Sequence, residues 1–318
     1  MDPDAARELK ARILERLPSA SRAGSTPRTY GAPWPGVAVG LSPTEDGARV
    51  AVRLRRDADR ALLPDLGRAA AAELDVQVIG PVRALSSPGG LRRRVRPLRP
   101  GLSIAHRAVS AGTLGGFVRA PSGLAILSNN HVLAASNAAA LGDAVLQPGP
   151  ADGGGPGDRV ATLTAFQRLV PGRVNLVDAA VAVLDPGVDA EPGDLPGGPL
   201  LGPVPAAPDI DPEMAVEKMG RTTGHTYGLI TAVEVDGLAV QYDGAVYRFD
   251  DQLEVQGRTG AFSGAGDSGA VIWRSPDRAP MALLFAGSEI GGVAGSGVTF
   301  ANPLATVLDA LGVDWVAR

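Results

Sequence analysis

The first hundred residues carry the two apolar periodicities of a mixed α/β domain. In residues 4–17 apolar side chains recur every four positions, which predicts an amphipathic helix with Asp4 as its N-cap. A second helical segment covers residues 62–74. Three runs have strand composition or strand alternation, and they are residues 37–41, 48–55 and 75–80. The order predicts a small ββαβ domain.

From Ala111 onward the pattern changes to short apolar runs separated by Gly, Pro, Asp and Asn. Helical periodicity returns only at residues 303–313, so this region predicts a β-barrel or β-sandwich with a C-terminal helix. A turn-rich stretch at 185–212 divides it in two, and the arginine- and proline-rich run 91–100 predicts an extended linker. The predicted domains are residues 1–100, 101–205 and 206–318.

Composition limits the kinds of chemistry, cellular location and partner that the sequence allows. The 318 residues contain no cysteine, which excludes disulfides and thiol chemistry and favours a reducing, cytoplasmic compartment. The charged N-terminal segment does not predict a signal peptide, and no apolar run of about 18 residues predicts a membrane span. A net charge of −4 and an aromatic content of 4% do not favour nucleic-acid binding. The arginines at 92–99 allow four interpretations. The run could be a solvated connector, bind nucleic acid, dock an acidic partner, or be a proteolytic cleavage site between domains.

The strongest candidate for chemistry is the segment GAGDSGA, residues 264–270. A nucleophilic serine needs an exposed hydroxyl and a backbone that curves around an oxyanion, and Gly266 before Ser268 permits that curve. A tight glycine-rich turn without chemistry is the alternative. A serine also needs a base, and the chain offers three histidines, which are His106, His131 and His225.

A buried acid that orients such a histidine is predicted at Asp178. It opens an apolar, strand-like segment at 175–185, where a carboxylate is costly to bury unless it is paired. Asp185 precedes Pro186 and has the context of an ordinary turn residue.

Four segments together resemble the chymotrypsin-like serine proteases over about residues 105–318. GTLGGFV followed by LAILSNNHVLAA resembles the region of the family's histidine, VDAAVAVLD its aspartate strand, and GDSGA its nucleophile motif. GRTTGHTYGLITAV resembles the strand that opens the second barrel in bacterial members of the alpha-lytic type. PGLSIAH and AGTLG resemble most closely the NARROW LEAF 1-like trypsin-like proteases of plants and bacteria. The implied fold is mainly β, with two protease barrels, a small N-terminal α/β domain and a C-terminal helix.

The resemblance implies that His131, Asp178 and Ser268 form a catalytic triad. Ser268 would attack the peptide carbonyl, His131 would transfer its proton, and Asp178 would orient His131. The N–H groups of Gly266 and Ser268 would form the oxyanion hole.

The resemblance also implies that Asp267 is buried beside the nucleophile. Bacterial relatives pair this aspartate with a basic side chain just before the TTG segment, and that position is Lys218, one of two lysines in the chain. We therefore expect a Lys218–Asp267 ion pair, with a surface role for Lys218 as the alternative.

The family's primary specificity pocket has its floor six residues before the nucleophile, which is Phe262 here. Its wall would be formed by Ala286, Gly287 and Ser288. An uncharged floor predicts a small or apolar P1 residue, and His225 at the rim, favouring an acidic P1, is the alternative. Many family members carry a serine at the position of Ala286, hydrogen-bonded to the triad aspartate, so this chain lacks that donor.

These expectations describe a regulated cytoplasmic serine endopeptidase that needs no cofactor and no metal, acts on proteins or peptides through an acyl-enzyme, and binds no membrane. Residues 1–100 would contribute a homo-oligomer contact or a site for a regulatory partner. The alternative is a binding or scaffold protein with a protease fold and little turnover, which the alanine at 286 and the extra domain favour. Three scattered histidines without an HExxH spacing do not favour metal catalysis.

Overall fold

The computed structural model describes residues 1–17, 37–44, 47–54, 57–78, 90–242, 244–288, 292 and 296–318. The ends of two predicted strands, residue 55 and residues 79–80, lie outside this described part. The chain divides into two compact units, residues 1–85 and 86–318, and each is considered by itself. No helix among the described residues has the length and apolar character needed to cross a membrane.

The first unit is a three-stranded sheet with a long helix packed against it. Its elements are α1 (Pro3–Arg16), β1 (Val37–Thr44), β2 (Gly47–Leu54), α2 (Gly67–Ala71) and β3 (Leu74–Val78). β2 lies between β1, which is antiparallel to it, and β3, which is parallel. Helix α1 buries Leu9 and Ile13 against the alternate apolar residues of β2, including Val50 and Val52.

Two details of this unit differ from the sequence prediction. Helix α1 begins one residue earlier, because the side chain of Asp2, rather than Asp4, accepts hydrogen bonds from the N–H groups of the first turn. The predicted helix 62–74 is reduced to the single turn of α2, preceded by a 3-10 turn at Asp57–Leu62. Pro64 and Gly67 between them disfavour a continuous helix.

The second unit consists of strands β4 to β20 and two helices. In chain order these are β4 (Ser103–His106), β5 (Gly112–Thr113), β6 (Gly116–Ala120), β7 (Gly123–Ser128), α3 (Asn130–Leu133), β8 (Ala144–Leu146), β9 (Arg159–Phe166), β10 (Val174–Asn175), β11 (Ala180–Leu184), β12 (Ala215–Gly220), β13 (Gly224–Val235), β14 (Leu238–Tyr242), β15 (Ala245–Phe249), β16 (Gln252–Gly257), β17 (Val271–Arg274), β18 (Pro280–Ser288), β19 (Val298–Pro303), α4 (Leu304–Leu311) and β20 (Asp314–Val316).

Most strands of this unit form two halves, and the predicted mainly β fold with a C-terminal helix is confirmed. The first half is an eight-stranded sheet in the order β20-β6-β7-β11-β9-β8-β4-β5, and the second is a closed barrel in the order β12-β13-β16-β19-β18-β17. Each half has its own apolar core. A third cluster joins the halves, in which Val118 and Leu127 of the first sheet share a core with Trp273 and with Leu304 of α4.

The arginine-rich run 91–100 packs within the second unit instead of extending as a linker. Leu91 and Leu98 are buried in the core of the first half. Leu98 exchanges backbone hydrogen bonds with the segment 189–191, and Arg99 forms an ion pair of 2.8 Å with Asp194. Its two buried leucines hold the run against the sheet despite its charge.

The chain between β13 and β16 forms the hairpin β14–β15, which joins neither half. It forms a separate three-stranded sheet with β10, in the order β10-β15-β14. β15 runs parallel to β10, with Val174 opposite Arg248 and Asn175 opposite Phe249. The apolar side of this sheet carries Tyr247 and Phe249, which share a buried cluster with Phe285 of β18. The hairpin therefore packs against the segment that leads to Asp178.

Candidate active site

His131 and Asp178 meet because the strands that carry them are neighbours in the first half. His131 lies in α3, directly after β7, and Asp178 lies just before β11, which pairs with β7 so that Ala180 faces Ser128. The Nδ1 atom of His131 is 2.5 Å from Oδ2 of Asp178, and the backbone N–H of His131 donates to Oδ1 at 3.2 Å. The Asp178 side chain is fully buried, and that of His131 is 19% exposed. Since Asp178 occupies Nδ1, Nε2 of His131 is the nitrogen left for a reacting partner.

Asp178 has further partners that the sequence did not predict. The hydroxyl of Tyr242, at the end of β14, donates to Oδ2 of Asp178 at 2.7 Å. The backbone N–H of Asp178 donates to Asn302, and its carbonyl accepts from the side chain of Asn129. Burial, followed by the charge of Asp178, raises the pKa of Tyr242 well above 10.0, so the phenol remains a donor at neutral pH. Asp178 therefore receives a hydroxyl donor from Tyr242, although residue 286 is alanine.

Ser268 lies in the turn before β17, anchored from both sides. The N–H of Thr113 donates to the carbonyl of Ser268, and the N–H of Gly269 donates to Leu284. The hydroxyl of Ser268 donates to the carbonyl of Phe285 at 3.5 Å. Within the described residues no hydrogen bond joins Ser268 to His131. The structure thus joins His131 to Asp178 directly, while Ser268 points toward β18.

The backbone before Ser268 has the curved shape that the glycine at 266 permits. Gly266 has φ +98°, and a Cβ atom there would lie 2.6 Å from Nη1 of Arg221. The dihedral angle favours glycine, and a larger residue would also displace the Arg221 guanidinium. In the described part of the chain the N–H groups of Gly266 and Ser268 donate no hydrogen bond, so they are available to an incoming oxygen atom.

Asp267 is held by a dense set of donors inside the second half. Lys218 Nζ lies 3.3 Å from Oδ2 of Asp267, and both side chains are fully buried. Oδ2 also accepts from the hydroxyl of Thr223 and the N–H of Gly264, while Oδ1 accepts from the N–H groups of Thr222 and Thr223. Burial lowers the pKa of Lys218, and the charge of Asp267 opposes that shift. These contacts fix the turn that contains Asp267 and Ser268.

A second ion pair connects the first half to the same turn. Arg221 binds Asp152 through two contacts, Nη2 to Oδ1 at 2.6 Å and Nε to Oδ2 at 2.7 Å. Burial alone would raise the pKa of Asp152, but hydrogen bonds from Arg221 and Ser103 lower it overall. Arg221 also donates to Thr222, whose hydroxyl donates to Ala265. No local motif indicated this pair, since its members are 69 residues apart.

A cavity of about 380 Å³ opens beside Ser268. Its described lining carries no charged side chain and consists of Ala261, Ser263, Gly264, Ala265, Ser268, Leu284, Ala286, Gly287, Ser288 and Ser296. The predicted wall residues Ala286, Gly287 and Ser288 are all among them.

Phe262 does not form the floor that its position in the sequence predicted. Its side chain is buried in the core of the second half, and its ring lies 5.7 Å from Lys218 Nζ. Its neighbours Ala261 and Ser263 line the cavity instead. The side chain of Phe262 therefore packs into the core between two residues that line the cavity.

The other two histidines have partners away from this site. His106 is buried, with Nε2 3.1 Å from Asp143, and its Nδ1 accepts from the N–H of Ala108. His225 lies 2.6 Å from Glu217 and stacks on Trp273, and it does not line the cavity beside Ser268. Among the described residues no group of three or more His, Asp or Glu side chains could hold a metal ion.

Comparisons with known proteins give similar structures but no family. No family model matches the chain, and no curated protein matches it. Chymotrypsin from Cellulomonas bogoriensis is 18% identical, with a TM-score of 0.47, over 70% of this chain and 100% of that chain. Protease A from Thermobifida fusca is 16% identical, with a TM-score of 0.48, over 70% and 100%. The alpha-lytic protease homolog N4 is 20% identical, with a TM-score of 0.47, over 68% and 98%. Similarities of this size do not specify the chemistry of the site, which depends on this chain's own residues.

Proposed function

We propose that this chain is a serine endopeptidase, with Ser268 as nucleophile, His131 as general base and Asp178 as the residue that orients His131. The observation that carries the proposal is the contact of 2.5 Å between His131 Nδ1 and the buried carboxylate of Asp178. A fully buried aspartate bound to Nδ1 selects one tautomer of the imidazole and stabilises the imidazolium that forms when Nε2 accepts a proton.

In the proposed reaction the hydroxyl of Ser268 first turns from Phe285 toward His131. The oxygen of Ser268 then bonds to the carbonyl carbon of the peptide as its proton passes to His131 Nε2. The C–N bond breaks when that proton moves to the leaving amine, which leaves an acyl-enzyme on Ser268. Water, deprotonated by the same nitrogen, hydrolyses the ester and restores Ser268.

The N–H groups of Gly266 and Ser268 are the proposed donors to the oxyanion. Removal of one such donor in a comparable site costs about 3–4 kcal/mol of transition-state stabilisation. Their positions in this chain depend on Lys218 and Arg221, which fix the turn on either side of Gly266. These ion pairs therefore support the turn without touching the substrate.

The proposed substrate is a protein or peptide with a small or apolar P1 residue. The uncharged lining of the cavity beside Ser268 supports this choice, because a buried charge on the substrate would find no partner there. The absence of cysteine supports a cytoplasmic location. For the first unit we propose a role in regulation or self-association.

The test is covalent labelling of the purified protein with a fluorophosphonate, followed by intact mass measurement. We expect one adduct on the wild type and none on Ser268→Ala. The matched control is Ser275→Ala, which removes a serine from the turn after β17 and should label like the wild type.

An adduct that persists on Ser268→Ala would contradict the assignment of the nucleophile. A wild type that takes no adduct, although it is folded, would favour a binding protein that has kept a protease fold. The orientation of the Ser268 hydroxyl toward Phe285 is the feature of this structure that agrees with that second outcome.

A further inference from the structure

The carboxylate of Asp178 accepts two side-chain hydrogen bonds on the same oxygen, Oδ2. One comes from His131 Nδ1 at 2.5 Å and the other from the hydroxyl of Tyr242 at 2.7 Å. The rings of His131 and Tyr242 are also in contact, with centroids 5.4 Å apart. Tyr242 thus touches both members of the pair on which the proposed function depends.

We propose that Tyr242 is a positioning residue, whose hydroxyl holds the Asp178 carboxylate in the orientation that binds His131. This inference rests on the proposed function, and it assigns to the β14–β15 hairpin a part in the reaction. Tyr242 acts through Asp178, so it is not itself a catalytic residue.

The hairpin is built to hold Tyr242 firmly. The ring of Tyr242 packs edge-on against Tyr247, with centroids 5.4 Å apart, and lies 6.3 Å from the ring of Phe249. Phe249 contacts Phe285, with centroids 4.7 Å apart. The carbonyl of Phe285 is the acceptor of the Ser268 hydroxyl. One aromatic cluster therefore connects the Tyr242–Asp178 contact to the strand beside Ser268.

The hairpin is also joined to the backbone that leads to Asp178. β15 pairs with β10, whose last residue is three positions before Asp178, and the side chain of Asn175 binds the carbonyl of Arg248. Without the Tyr242 hydroxyl, the described hydrogen bonds to the Asp178 carboxylate would all come from His131. The carboxylate would then be held by the residue that it has to position, with no independent contact to fix its orientation.

The experiment compares Tyr242→Phe with Tyr247→Phe in the full chain. Tyr247 is the matched control, because it lies in the same cluster and its hydroxyl donates to nothing within the described residues. Two quantities are measured in each protein: the second-order rate of fluorophosphonate labelling, and the proton NMR resonance of His131 Nδ1–H. The chain has only three histidines, so a His131→Gln variant identifies that resonance.

We expect Tyr242→Phe to be labelled about ten to a hundred times more slowly, the range for loss of a hydrogen bond to a charged group. The His131 resonance should move, because Oδ2 then has a single donor. Tyr247→Phe should match the wild type in both measurements. A Tyr242→Phe protein with wild-type labelling, or with slower labelling but an unmoved resonance, would overturn the proposal.

The two proposals fail in different ways. A wild type that takes no label counts against the proposed protease function. The resonance still decides the role of Tyr242 in that case: a shift in Tyr242→Phe alone supports it, and an unmoved resonance overturns it.

Discussion

Asp178 and Asp267 are both fully buried near Ser268, yet they are bound in opposite ways. Asp267 is paired with a lysine and accepts hydrogen bonds from two side-chain or backbone donors on each oxygen. Asp178 has no permanently charged partner among the described residues. Its carboxylate is bound by the imidazole and backbone of His131 and by the phenol of Tyr242.

The difference agrees with the proposed function, in which Asp267 supports the turn and Asp178 takes part in the reaction. The charge of Asp267 is balanced by Lys218 inside the fold, so it stabilises the turn and nothing else. In the proposed reaction Asp178 gains a positively charged partner when His131 accepts the proton of Ser268. A buried aspartate bound by an imidazole and a phenol suits the role proposed for Asp178, and one bound by a lysine cation suits a role in the fold.

The largest expected effect on the reactivity of Ser268, and the strongest test of this comparison, comes from Asp178→Asn. We expect the fold to remain and fluorophosphonate labelling to slow by about 10⁴-fold, because an amide stabilises the wrong imidazole tautomer. Circular dichroism tests whether the fold remains, and the labelling rate measures the reactivity of Ser268. Labelling within tenfold of the wild type would break the comparison, because Asp178 would then have no part in activating the serine.

Lys218→Met tests the other aspartate. It leaves the Asp267 carboxylate buried without a cation, and we expect the free energy of unfolding to fall by about 3–5 kcal/mol. Urea unfolding followed by tryptophan fluorescence measures this change. The matched control is Lys10→Met, which removes the chain's other lysine from α1. Equal stability of both variants would show that the Lys218–Asp267 pair contributes little.

The sequence predicted the parts of the site that lie within single motifs. Short strands and the glycine at 266 are local signals, and Lys218 was found because it precedes the TTG segment. Tyr242 could not be found in this way. It is 64 residues from Asp178 and reaches it through the parallel pairing of β15 with β10, which no local pattern specifies.

Two other differences have local physical causes. The distance from Ser268 along the chain predicts Phe262 as a pocket floor, but its ring is buried in the apolar core of the second half. The arginines and prolines of the run 91–100 predict a linker, whereas the buried Leu91 and Leu98 determine where the run packs. In both cases a buried apolar side chain outweighed the more conspicuous feature of the sequence.

The smallest expected effect is on the free energy of unfolding at alkaline pH, to which Tyr242 beside Asp178 and Lys218 beside Asp267 contribute in opposite directions. The pKa of Tyr242 is raised above 10.0 in the folded state, so the folded protein keeps this proton after the unfolded chain has lost it. The resulting stabilisation is complete below about pH 10 and is lost as the pH rises further. The pKa of Lys218 is lowered, so its contribution to stability instead increases as the pH approaches 10.5.

The variant Tyr242→Phe isolates the contribution of the Tyr242 proton to stability. Its free energy of unfolding should approach that of the wild type as the pH rises from about 9 to about 11, by at most about 1.4 kcal/mol per pH unit. Urea unfolding at several pH values in this range measures the difference between the two proteins. A difference that stays constant across the range would mean that neither burial nor Asp178 raises the pKa of Tyr242 in the folded state. The comparison of Asp178 with Asp267 would then rest on their hydrogen-bond partners alone, without support from the titration of Tyr242.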